Sequence, residues 1–184
     1  MKLKATTKIQ EKIERSAKRN PSEYGRQLQE KQKVKRTYGL MERQFKRFFA
    51  MAIKSQEATG HALLSLLERR LDNVVYRLKL AVSRAQARQI VVHGHVLVNG
   101  KKVYSPAYLV HVNDVVSIDP KVIEKKNAFV EQVIDKRFKI GIKVPDWLEL
   151  EKADRKGRVL RVPARSDVQQ PVIEEHLIVE LYSK

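Results

Sequence analysis

The sequence predicts an α+β protein with two lobes: a mainly helical lobe built from the N- and C-terminal segments, and a lobe in which a helix pair packs on a small, mostly antiparallel twisted sheet. Three observations predict it. Apolar residues recur at helical spacing from Leu40 to Leu78, the period changes to alternation around Asn99-Gly100, and helical spacing returns in the HLIVEL stretch near the C-terminus. The division expected is 1–67 completed by 166–184 for the helical lobe, and 68–165 for the mixed lobe.

The first 20 residues mix Lys, Arg, Glu and small side chains with little apolar periodicity, which reads as a frayed helix or an arm that orders on binding. From Leu40 to Ile53 the pattern sharpens: Met41, Phe45, Phe48, Phe49 and Ala52 make one stripe, and Arg43, Lys46, Arg47 and Lys54 make the other side. One face is core and the other is a cationic rail. Thr59 is the expected cap of a second amphipathic helix carrying Leu64, Leu67, Leu71, Val74, Val75 and Leu78. Arg69, Arg70 and Arg77 lie beside that stripe, as packing stems with charged heads or as phosphate ligands.

Ser83 and Gln86 match a capping box, Ala85, Ala87, Ile90 and Val91 supply a buried side, and Gly94 suits a left-handed stop, so a short helix is predicted from Arg84 to His93. Arg84 and Arg88 share one of its faces, with Gln89 next to them in reach of a base or a 2′-hydroxyl. Val96 and Val98, then Asn99-Gly100, then Lys101-Lys102-Val103 form a strong hairpin signal. Further strands are expected at Val112–Ile118, entered through an Asn113-Asp114 turn, at Val144–Leu150 and at Gly157–Val162, with a terminal helix from Glu174 to Tyr182.

Charge narrows the function. The chain carries 38 Lys plus Arg against 21 Asp plus Glu, a formal net charge of +17, so phosphates are the expected counter-charge and an anionic membrane the main competitor. Sixteen of the cations, against 5 Glu, fall between Met1 and Lys54, whereas Ser166–Lys184 is acidic. With no Cys, disulfides, thiolate metal sites and a Cys nucleophile are excluded. The sequence has no signal-peptide pattern and nothing near the roughly 20 apolar residues of a membrane span, which predicts a soluble, intracellular protein.

The stretch ERRLDNVVYRLKLAVSRAQARQIVVHGHVLVNGKKVYSPAYLVHVNDVVSI resembles the S-four-type RNA-binding domain, which also occurs appended to pseudouridine synthases and tyrosyl-tRNA synthetases. The flanks SEYGRQLQEKQKVKRTYGLMERQFKRFF and EEHLIVELYSK are similar to the family of small-subunit ribosomal protein four, so the resemblance runs from about Ser22 to Lys184. It implies binding to the 5′ domain of small-subunit rRNA early in assembly, a place beside ribosomal protein five and near where mRNA enters, and an influence on decoding accuracy. By motif match it carries over Lys31, Lys33, Arg36, Arg43, Arg47, Arg69, Arg70, Arg84, Arg88, Asn99 and Lys101 as rRNA-facing, to which the helix reading adds Gln89. By this resemblance the family's longer N-terminal segment, with four zinc-binding cysteines in some members, is expected to be absent or replaced by residues 1–20, where Lys18 and Arg19 could substitute in part. No zinc or other cofactor is expected.

The rival functions lack their residues. An RNA-modifying enzyme needs a further domain with a positioned Asp, but Asp135, Asp146 and Asp154 fall in segments reading as surface, and no nucleophile elbow, Gly-rich phosphate loop or paired carboxylate motif occurs. His93-Gly94-His95 has no third ligand near it for a metal. No zinc finger, basic zipper or helix-turn-helix register points to DNA. The expectation is therefore a non-enzymatic component of a cytoplasmic or organellar ribosome, with mRNA repression a compatible second role.

Overall fold

In the computed structural model residues 22–124, 143–168 and 172–183 are described, so the expected N-terminal arm and Asp135 lie outside the described residues. The first helix, α1, runs Glu23–Tyr38. Ser22 caps it, its hydroxyl accepting from the Gly25 N–H at 3.2 Å, and Gly39 ends it at φ 61°. It adds a helix to a segment for which the sequence reading assigned no element. Helix α2, Glu42–Ile53, buries Phe45, Phe48, Phe49 and Ala52 as the stripe predicts. Met41 departs from that stripe: it is the N-cap, and 73% exposed.

The second amphipathic pattern is two helices, α3 (Thr59–Glu68) and α4 (Leu71–Arg77). Ala58 rather than Thr59 is the N-cap residue of α3. The break falls where another segment takes over the backbone: Val110 N–H donates to the Arg69 carbonyl at 3.0 Å, and Leu71 N–H to the Tyr108 carbonyl at 2.8 Å. Helix α5, Arg84–Val92, starts as predicted, with Ser83 Oγ accepting from Gln86 N–H. The reciprocal bond reaches one residue further back than a capping box, from Val82 N–H to Gln86 Oε1 at 2.7 Å. Ala85 is exposed, not buried as expected, because the apolar face narrows to Ala87, Ile90 and Val91.

Strands β1 (Val96–Val98), β2 (Lys101–Lys102), β3 (Val115–Ile118), β4 (Leu148–Glu151) and β5 (Lys156–Val159) form one sheet of order β2-β1-β3-β5-β4, and every pairing is antiparallel. Asn99 at φ 50° and Gly100 at φ 78° make the tight turn between β1 and β2. β3 begins later than expected, since Asn113 at φ 71° keeps the turn going until Asp114. The last two strands shrink relative to Val144–Leu150 and Gly157–Val162. At Gly157 a Cβ would collide with Leu78 and come within 2.8 Å of the Glu149 carbonyl, so only glycine lets α4 sit this close to the sheet. A short helix α6, Pro120–Glu124, follows β3, and α7, Glu175–Ser183, closes the chain.

The apolar side chains gather in two clusters. A helical core holds Val34, Phe45, Phe48, Leu63, Leu64 and Leu67 together with Val168, Ile173 and Ile178 from the C-terminal segment. A mixed core holds Leu71, Val74, Leu78, Val91, Val116 and Trp147. Helix α7 packs on α1 and α3, burying Leu177 and Ile178, with Leu181 half-buried. Gln27 Nε2 reaches Glu180 at 3.1 Å and the Tyr182 ring stacks on Phe49 at 4.4 Å.

Candidate nucleic-acid interface

The outer face of α2 is open. Arg43, Lys46, Arg47 and Lys54 are all exposed, and none has a carboxylate partner among the described residues. Their spacing puts them on the side opposite Phe45, Phe48 and Ala52, whose burial holds the helix in place. Arg36 on α1 is likewise exposed and unpaired among the described residues, whereas Lys33 forms an (i,i−3) pair with Glu30 at 3.0 Å. Lys31 is mostly spent: it donates to Glu42 at 2.9 Å and lies 5.8 Å from the Tyr182 ring centre. Lys35, also bonded to Glu42 at 2.6 Å, combines with Lys31 to hold the Glu42 carboxyl down at about 2.

Arg84 and Arg88 have a different fate. Between the two cores Glu68, 1% exposed, accepts from the Tyr38 hydroxyl at 2.7 Å, from Asn73 Nδ2 at 2.8 Å and from Arg77 at 2.7 and 3.0 Å. Arg84 Nε donates to Asn73 Oδ1 at 2.8 Å while its guanidinium lies 4.6 Å from the Tyr76 ring and 5.1 Å from the Tyr38 ring. Burial works against the Arg77 charge, but Glu68 outweighs it and raises its pKa. Burial, helped by the neighbouring Arg77, lowers that of Arg84. Burial and then the Glu68 charge push the Tyr38 hydroxyl well above its ordinary value.

Arg88 donates to the Gly39 carbonyl at 2.8 Å and pairs with Asp72 at 3.3 Å, joining α5 to the end of α1. Arg84 and Arg88, expected as a second phosphate grip, thus staple the two cores together, and the Arg88 head stays about a third exposed. Arg70, carried over as rRNA-facing, is placed in the core: it is 1% exposed, bonded to Asp72 at 2.5 and 3.0 Å, and lies 5.4 Å from the Phe48 ring.

Arg69 is half-buried and donates to the Val110 carbonyl at 2.9 Å, and burial lowers its pKa. Asn99 is a turn residue whose side chain is already used, donating to Asp114 at 2.7 Å and accepting from Val115 N–H at 2.9 Å. Gln89 and Lys101 are exposed. Sequence reasoning did not select Arg26 and Arg158, which are also exposed; Arg26 stands apart from the Lys31–Arg36 run, whereas Arg158 lies in the cationic stretch from Lys152 to Arg161, a signal that was available. Among the described residues no group of three or more His, Cys, Asp or Glu is placed to hold a metal ion, and no helix is long and apolar enough to cross a membrane.

A helix pair on an antiparallel sheet, joined to a helical unit with an open cationic face, defines an RNA-binding protein of the S4 class: the family model described as S4 domain matches residues 69–116. The model described as Ribosomal protein S4/S9 N-terminal domain matches residues 2–68, which carries the likeness upstream of Ser22. The chain is 53% identical over 164 residues to small ribosomal subunit protein uS4 of Halothermothrix orenii, covering 89% of this chain and 76% of the relative. It is 51% identical over 167 residues to uS4 of Acetivibrio thermocellus, covering 91% and 78%, and 52% identical over 167 residues to that of Thermoanaerobacter sp., with the same coverage. The chain belongs to the family of small ribosomal subunit protein uS4.

Proposed function

We propose that this chain is a structural constituent of the small ribosomal subunit that binds the 5′ domain of small-subunit rRNA, helps nucleate its folding, and catalyses no reaction. The observation that carries the reading is the unpaired cationic face of α2, Arg43, Lys46, Arg47 and Lys54, extended by Arg36, in a member of a ribosomal family. A row of guanidinium and ammonium groups on a rigid helix neutralises successive phosphates and releases their counterions. Lys33, Lys101, Gln89 and the outer parts of Arg69 and Arg88 are the remaining rRNA-facing groups in this reading, and Lys31 joins them at its edge. The two apolar cores are its two domains, 1–67 with 166–184 and 68–165.

The acidic α7, with Glu174 just ahead of it and Glu180 exposed, offers a surface to a basic protein neighbour, which the family likeness implies is ribosomal protein five. Contact with mRNA where it enters, an effect on decoding accuracy and repression of an mRNA complete the proposal, together with the absence of a DNA or membrane partner. The test is binding to a transcript of the 5′ domain. Affinity should fall steeply with salt, and duplex DNA should compete poorly; equal affinity for the two nucleic acids near physiological salt overturns the reading.

A further inference from the structure

We propose that Tyr104 is a stacking platform for one unpaired base of the bound RNA, an inference that rests on the rRNA-binding reading and goes beyond its phosphate contacts. Tyr104, two residues past β2, is 60% exposed, yet its ring is not loose. The Cδ1, Cε1 and Cζ atoms occupy the place a Cβ on residue 94 would need, so the ring is seated against the Gly94 backbone just beyond the end of α5. Gly94 has φ 70°, which turns the chain there and leaves the seat open.

The surroundings suit a base better than a protein side chain. His93 is exposed, and its ring lies 5.9 Å from that of the half-buried His95, so flat aromatic groups flank the seat. One turn earlier on α5 the exposed Gln89, whose carbonyl accepts from His93 N–H, supplies an amide able to donate to and accept from a base edge. On β2, three residues before Tyr104, Lys101 is exposed with no carboxylate partner among the described residues, a counter-charge for a phosphate of the same RNA. Lys102 is not available in the same way, being paired with Asp119 at 2.8 Å. An isolated exposed aromatic is ordinary on a protein surface. A pre-positioned ring, with a hydrogen-bonding amide and a cation on the neighbouring elements, is the kind of arrangement by which proteins hold splayed-out RNA bases. Because the ring is already seated on Gly94, little side-chain freedom is lost on stacking.

The test uses the full chain and a transcript of the 5′ domain of small-subunit rRNA. Tyr104→Ala should weaken binding roughly five- to a hundredfold with the salt slope unchanged, since stacking releases no counterions, and Tyr104→Phe should keep wild-type affinity. Lys101→Gln should make the slope shallower by about one unit. Chemical probing of the Tyr104→Ala complex should show one unpaired nucleotide newly reactive. Wild-type affinity and an unchanged reactivity pattern for Tyr104→Ala would overturn the inference, as would equal losses in the Ala and Phe variants, which would make the hydroxyl the contact. A wild-type chain that does not distinguish the transcript from duplex DNA overturns the rRNA reading itself, whatever the Tyr104 variants do.

Discussion

Two pairs of arginines stand four residues apart on helices of similar length, and the fold treats them oppositely. Arg43 and Arg47 on α2 face solvent without a carboxylate partner among the described residues, while Arg84 and Arg88 on α5 are turned into the seam between the two cores. Nothing about the arginines decides this. What lies opposite does: across from α5 stand the Tyr38 ring, the Gly39 carbonyl and the Glu68–Asn73–Asp72 polar group, whereas among the described residues no element covers the outer side of α2. Identical spacing yields an exposed cationic rail in one place and a structural staple in the other, so charge periodicity identifies a shared face but not its tenant.

The comparison breaks most decisively at Glu68. Glu68→Ala leaves the Arg77 guanidinium, the Asn73 amide and the Tyr38 hydroxyl without their acceptor, and should cost about 3–5 kcal/mol in urea unfolding. A loss below about 1 kcal/mol would mean the seam is not held by this network. Arg84→Met removes a hydrogen bond and two ring contacts while keeping the stem, and should cost about 1–3 kcal/mol by the same measurement.

Arg43→Glu with Arg47→Glu should do the reverse, leaving stability within about 0.5 kcal/mol and making the salt slope of RNA binding shallower by roughly one to two units. Unchanged affinity and slope in that variant would reduce the rail to a solvated face. The smallest effect concerns Glu42. Its depressed carboxyl contributes stability that is present above the ordinary carboxylate pKa and lost as the pH falls from about 4.5 to about 2. Partial exposure screens the pairs with Lys31 and Lys35, so the contribution should stay under about 1 kcal/mol, and Glu42→Gln should flatten that part of an acid-unfolding curve.

Elements specified by neighbouring residues were legible in the sequence. Asn99-Gly100 names its own turn because few other residues accept two successive positive φ values, and Ser83 with Gln86 names the start of α5. The open face of α2 was legible for the same reason, its phenylalanines and arginines separating on a single helix. Elements specified from a distance were not. The helical stripe runs unbroken through Leu67, Leu71 and Val74, and only hydrogen bonds to Tyr108 and Val110 part α3 from α4. Arg70 became a core residue because Asp72 and Phe48 meet it there, the latter from another helix. Helix α1 escaped notice because its buried positions, Gln27, Val34 and Tyr38, are too few and too mixed in polarity to draw a stripe.

Trp147 is the sole tryptophan, and it is completely enclosed in the mixed core, packed among residues of the helix pair and the sheet. The helical core has only phenylalanine and tyrosine rings, so indole emission observes one half of the molecule while far-ultraviolet circular dichroism is weighted toward the other. Fluorescence and dichroism are therefore two independent witnesses to denaturation without any label. If the seam at Glu68 and Arg88 binds the halves into one cooperative unit, both signals should pass through the same midpoint. Loosening the seam should pull the two curves apart, and the gap between them measures how far one half depends on the other.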